Sequence, residues 1–207
     1  MTDKAQAAAR RKIRMAMRQA KARLPASLPG FFALTDPIRL HDPLALISGL
    51  PHGAGMVYRH FGALDRGEVA SRLARVAAAR GIFLLVGNDP ELAGRIGAAG
   101  VHWSEARTHE ARRWRSRFAI MTCAAHSRQA VFAAREVGCN AALLSTVFPS
   151  DSPSASTAMG ALRFRNLART SPLPVYALGG VTAKTIGRLN GYGAAAISGA
   201  LVFSELL

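Results

Sequence analysis

From Phe31 onward the chain alternates between short apolar runs and longer stretches in which apolar residues recur at helical spacing. The runs are FFALTD (31–36), GMVYRHF (55–61), IFLLVGN (82–88), GVHW (100–103), FAIMTCA (118–124), AALLSTVF (141–148), PVYALGG (174–180) and AAAISGA (194–200). Between them, Val69, Leu73 and Val76 recur at i, i+4, i+7 inside 66–80, and Val131, Ala134 and Val137 do the same inside 128–137. Apolar strands joined by helical crossovers are buried on both faces, which predicts a parallel sheet. Eight such units in a row predict an α/β protein closed into a (β/α)8 barrel of the TIM type. An open doubly wound sheet would carry fingerprint glycines after its first strand, where Pro37 and Arg39 stand instead. At 207 residues the barrel is short, so helices or loops must be trimmed.

A different pattern precedes the barrel. Residues 4–24 read as a helix with Ile13, Met17, Ala20 and Leu24 on one face and arginines over the rest, stopped by Pro25. The expected organisation is therefore a basic amphipathic helix and linker over 1–27 and a barrel over 28–207. The helix is expected to pack over the bottom of the barrel; a transit peptide, a nucleic-acid arm and a membrane-surface helix are the other readings of such a segment.

Charge changes the picture only locally. The net charge is +15, yet residues 1–24 hold eight basic groups against Asp3 alone, so about half the excess belongs to that helix. Basic charge attracts anions without naming a partner, and no aromatic interleaving points to nucleic acid. Cys123 and Cys139 show no CxxC spacing and no secretory leader accompanies them, so both are read as reduced, in a cytoplasmic protein. The apolar runs are too short to span a membrane.

Chemistry is expected where strands end, because in a barrel those residues share one mouth. The last two strand ends form the sharpest signal. Gly179 and Gly180 let bare backbone approach an oxyanion, Thr182 is placed to cap a following helix, and Ile197, Ser198 and Gly199 add a hydroxyl and a flexible N–H. Together they predict a phosphate cup. Arg59 ends an apolar strand, so it must be paired or must meet an anionic ligand. Tyr58, Asn88, His102, Ser150 and Ser152 complete the candidate ligand contacts. Asp89 before Pro90 reads equally well as a helix N-cap, and His102 as a satisfied core histidine.

The ordered pieces FFALTD, GMVYRHF, LLVGND, GVHW, AAHS, LLSTVFPS, ALGGVT and AISGA resemble the thiamine phosphate synthase family, which includes the TenI-like thiazole tautomerases. The resemblance covers nearly all of 31–200. It implies a barrel holding a thiazole phosphate at Gly180, Ile197 and Ser198, with the loop at 150–152 closing over it, and it implies a homodimer or larger assembly.

The other half of the mouth departs from the synthase pattern. Where synthases end strand 2 with QLREK this chain has Val57, Tyr58, Arg59, His60 and Phe61; an expected acid falls at Arg107, with Glu105 nearby, and an expected lysine falls at Pro153. Asp89 is then a single carboxylate for the Mg²⁺ that a synthase uses as pyrophosphate leaves. A tautomerase needs less, and His126 with Arg59 supplies a proton-transfer group beside a cation. A TenI-like tautomerase without a cofactor is the preferred expectation. The alternatives are a Mg²⁺-using synthase that joins a pyrimidine pyrophosphate to a thiazole phosphate, and a non-catalytic phosphate-binding or regulatory barrel.

Overall fold

A computed structural model describes residues 3–38, 42–150, 157–191 and 194–198, with 3–6, 9, 10 and 194–198 in backbone alone. Eight parallel strands close into a barrel in chain order: β1 (Phe31–Leu34), β2 (Gly55–Tyr58), β3 (Phe83–Gly87), β4 (Gly100–Trp103), β5 (Ile120–Ala125), β6 (Ala141–Leu144), β7 (Val175–Ala177) and β8 (Ala194–Ser198). β8 returns to β1, with Ala33 opposite Ile197 and Leu34 opposite Ser198. The expected α/β barrel is the fold.

Alternation along each strand separates two layers. Phe32, Leu34, Val57, Leu85, Leu143 and Tyr176 fill the barrel interior. Met56, Tyr58, Val86, Trp103, Cys123 and Leu144 face the surrounding helices. Glycine admits an interior ring at one point and a neighbouring strand at another: a Cβ on Gly55 would lie 2.2 Å from the Phe32 ring, and one on Gly100 only 1.6 Å from the Ile120 carbonyl oxygen.

The crossovers show how the barrel fits a short chain. Helix α2 (Pro43–Gly49) has seven residues and α4 (Pro90–Arg95) six; α3 (Arg66–Arg80), α5 (Arg128–Glu136) and α6 (Ala161–Thr170) are longer. Among the described residues two crossovers contain only 3-10 turns, Glu105–Arg113 and Ile186–Leu189. The expectation of a helix capped by Thr182 is thereby corrected. Thr182 Oγ1 accepts from Lys184 N at 3.1 Å in a local turn, and Thr185 Oγ1 donates back to Gly180 O at 2.8 Å, so the chain coils too tightly for an α-helix.

Helix α1 (Asp3–Lys21) lies beside β8 and the Ile186–Leu189 turn, over the amino-terminal end of the barrel. Ile13 is fully buried, and Ala20, Leu24 and Leu28 join the interior layer at Phe32 and Tyr176. Burying a side chain such as Ile13 contributes roughly 1.5–3 kcal/mol. The linker is latched on both sides: Lys21 Nζ donates to Ala26 O and Leu28 O, and Tyr176 Oη donates to Pro29 O at 2.8 Å. Among the described residues no helix is long and apolar enough to cross a membrane.

Both cysteines are free and buried. A hydrogen bond with Cys139, reinforced by burial, pushes the Cys123 thiol far above its ordinary pKa, which makes it a packing group.

Candidate active site

At the carboxy end of β1, fully buried Thr35 organises its neighbour. Its Oγ1 accepts from Arg59 N and its carbonyl accepts from Arg59 Nε, both at 2.7 Å. Arg59 Nη2 stands 4.0 Å from Asp36, with about a third of the Arg59 side chain exposed. A guanidinium held by its Nε at the rim of an apolar barrel is oriented toward the mouth without being sealed off.

His102, on β4, occupies the interior beneath that rim. Its Nδ1 lies 2.8 Å from Thr122 Oγ1, and burial, then the nearby Arg59 charge, pushes its pKa down to about 3. The ring is neutral at physiological pH, as expected of a satisfied core histidine. Tyr58, by contrast, is carried away from the mouth. It shares the outer layer with Met56, stacks on His60 at 5.1 Å, and has no hydrogen-bond partner for its hydroxyl among the described residues. Burial raises its pKa to about 12. Period-two alternation with Val57 was the sequence signal for this placement.

Asn88 and Asp89 serve as a strap and a cap. Asn88, at φ 52°, donates from N to His102 O and accepts at Oδ1 from Ser104 N, tying the end of β3 to that of β4. Asp89 Oδ1 caps α4 at Leu92 N, 2.9 Å, while Oδ2 receives Arg66 Nη1 at 2.7 Å. Arg66 also donates to Gly87 O and lies over the Phe61 ring. Sequence reasoning missed Arg66, because no periodicity links a first-turn helix residue to an aspartate 23 positions later. Arg107, where the synthase pattern has an acid, pairs with Glu110 at 2.6 Å and donates to Asn88 O.

Across the mouth, His126 follows β5. Ser127 caps α5 through Ala130 N at 3.1 Å, so His126 is not the cap. Its Nδ1 instead lies 2.6 Å from Glu105 Oε2, which also accepts from the His126 main-chain N at 2.8 Å. Both side chains are a little under half exposed.

On the β7 side, Gly179 and Gly180 have φ 85° and 61°. A Cβ on Gly180 would stand 2.3 Å from Pro149 O and 2.7 Å from Phe148 O, and one on Gly179 would stand 2.8 Å from Thr146 Cγ2. These glycines thus let the loop after β6, which leads to Ser150, lie directly against the β7 turn. Ile197 and Ser198 reach the same end of the barrel by register, while their side chains, Gly199 and Ser152 lie outside what the structure describes. Among the described residues no group of three or more His, Cys, Asp or Glu side chains is arranged to hold a metal.

Comparison with known proteins gives this mouth a lineage. The TMP-TENI family model, described as thiamine monophosphate synthase, matches residues 56–201. A thiamine-phosphate synthase of Thioalkalivibrio sulfidiphilus is 30% identical over 176 residues, covering 81% of this chain and 83% of the relative. One from Geobacillus kaustophilus is 32% identical over 141 residues, covering 65% of this chain and a little under two thirds, 63%, of the relative. Among solved structures, a thiamine phosphate pyrophosphorylase from Pyrococcus furiosus superposes with a TM-score of 0.73 at 18% identity, covering 87% of this chain and 90% of the other, a likeness of fold. With the family model spanning seven of the eight strands, the chain belongs to the thiamine phosphate synthase and TenI family.

Proposed function

We propose that this chain binds a thiazole phosphate at the carboxy-terminal mouth of the barrel and works in thiamine-phosphate-synthase-type chemistry, joining that ligand to a pyrimidine pyrophosphate with release of pyrophosphate. The family match over 56–201 carries this reading, and both relatives above are named as synthases. The tautomerase preferred from sequence receives no specific support from them. In this reading the phosphate lies against the paired left-handed glycines of the β7 turn and the end of β8, and Arg59 offers its guanidinium to the second substrate. Held at both ends, the two substrates react as one encounter complex.

Synthase chemistry implies Mg²⁺, which would neutralise charge on the departing pyrophosphate. Asp89 is the carboxylate this reading would use for it, and its two oxygens are taken by Leu92 N and Arg66. The residues fit Mg²⁺ only where substrate phosphates supply most of the ligands, as is common for this ion. A cytoplasmic setting and a homodimer or larger assembly belong to the same proposal.

The Glu105–His126 contact favours a second reading, in which His126 moves a proton on the bound thiazole. One experiment separates the two. Purified protein is given thiazole phosphate with and without the pyrimidine pyrophosphate and Mg²⁺, and pyrophosphate release and deuterium exchange into the thiazole are followed. Pyrophosphate release that requires both substrates supports the synthase; exchange alone supports proton transfer. Failure to bind thiazole phosphate in calorimetry overturns both.

A further inference from the structure

Two loops leaving adjacent strands meet through one oxygen atom. Glu105 lies two residues beyond β4 and His126 one residue beyond β5, and Glu105 Oε2 receives both the main-chain N–H of His126 and its ring Nδ1, at 2.8 and 2.6 Å. An ionised carboxylate only accepts, so the ring nitrogen facing it must carry a hydrogen. That makes Nδ1 the donor and leaves Nε2 of the neutral ring with its lone pair. The reverse tautomer would set a lone pair against a carboxylate oxygen. The main-chain contact matters as much as the ring contact, because it pins Oε2 to the backbone that carries the imidazole and so limits the swing of the ring.

Among the described residues the hydrogen bonds of Glu105 both go to His126, and Ser127 relieves His126 of capping duty. We propose that Glu105 is a positioning residue, holding His126 as the Nδ1–H tautomer so that Nε2 is the atom that accepts a proton from a ligand in the mouth. This deepens the proton-transfer reading of the site and rests on it for the identity of the ligand. Nε2 takes a proton from one ligand atom, the ring becomes imidazolium beside the Glu105 carboxylate, and the proton returns to another ligand atom. Glu105 keeps its charge throughout, and no redox partner enters.

The test uses the full chain labelled with ¹⁵N, with long-range ¹H–¹⁵N spectra of the imidazoles and His126→Asn to identify the His126 signals. The expected wild-type ring is in the Nδ1–H form. Glu105→Ala shifts it toward the Nε2–H form, and Glu105→Gln, whose side-chain carbonyl still accepts from Nδ1, retains it. Thiazole hydrogen exchange then falls about 10–100-fold in kcat for Glu105→Ala, with KM nearly unchanged, and recovers in part in Glu105→Gln. Circular dichroism establishes that each variant is folded. A wild-type ring in the Nε2–H form, or a tautomer ratio that Glu105→Ala leaves untouched, overturns the proposal. A tautomer that responds to Glu105 while the ring ignores added thiazole phosphate sinks the functional reading instead, and the grip of Glu105 stands.

Discussion

The two ends of the barrel are built from different materials. The amino-terminal end is closed by side chains, with Ala20, Leu24 and Leu28 seated on Phe32 and Tyr176. The carboxy-terminal end is lined by polar groups, each held by a neighbour: Arg59 by Thr35, Asp89 by Arg66, His126 by Glu105. Burial of apolar surface stabilises the first end, whereas a pair as exposed as His126 and Glu105 at the second contributes little to folding. The difference teaches that the order of His126 and Glu105 is not accounted for by folding stability.

The comparison is attacked hardest at Gly100. Gly100→Ala forces a Cβ to within 1.6 Å of the Ile120 carbonyl, a clash that no rotamer relieves, and is expected to cost about 3 kcal/mol or more in urea unfolding. Ligand affinity of the folded fraction should stay at the wild-type value.

His102 tests whether polar groups just below the mouth obey the same rule. Its folded pKa, about 3, lies below the ordinary value of 6.5, so between those values the unfolded chain binds a proton that the folded chain refuses. Stability is therefore complete above pH 6.5 and falls with acidification toward pH 3, with a slope of up to about 1.4 kcal/mol per pH unit. Unfolding curves measured across this window should flatten in a His102→Gln variant.

A third variant strains the β7 turn itself, and binding is read on its folded fraction. Gly180→Ala meets both a left-handed φ and the Pro149 carbonyl, and should weaken thiazole phosphate binding at least ~10-fold, the equivalent of ~1.4 kcal/mol, in calorimetry. Unchanged affinity would move the phosphate away from the β7 turn.

The smallest effect returns to the sealed end. Tyr176→Phe deletes the buried hydrogen bond to Pro29 O and should cost about 1 kcal/mol, with no change in ligand binding.

Much of this architecture was legible because a buried parallel strand is a short apolar run, although PLALISG, as apolar as any of them, forms α2. GVHW coincides with β4. FFALTD and AALLSTVF overran: Thr35 N still bonds to Val57 O while its Oγ1 turns to accept from Arg59 N, Asp36 accepts from Ile38 N in a local turn, and Ser145 N bonds back to Ala125 O as the chain leaves the strand. The 3-10 crossovers were illegible where hydroxyls compete locally with helical hydrogen bonds, as at Thr182 and Thr185. At the site, residue types and the sharing of one mouth could be read, but partnerships such as Arg66 with Asp89 could not, because they are set by how neighbouring loops converge. The outward turn of Tyr58 was within reach of simple alternation.

The pairing of β8 with β1, and the place of α1 beside β8, bear on how the chain acquires its structure. Ile13, Met17 and Ala20 are made before the barrel strands that cover them, with β8 among the elements that α1 contacts. Contacts of this separation, such as the 147 residues between Pro29 and Tyr176, close late and slowly. During synthesis this helix waits with its greasy side uncovered until those strands follow, and the like charge of its arginines opposes its association with other copies.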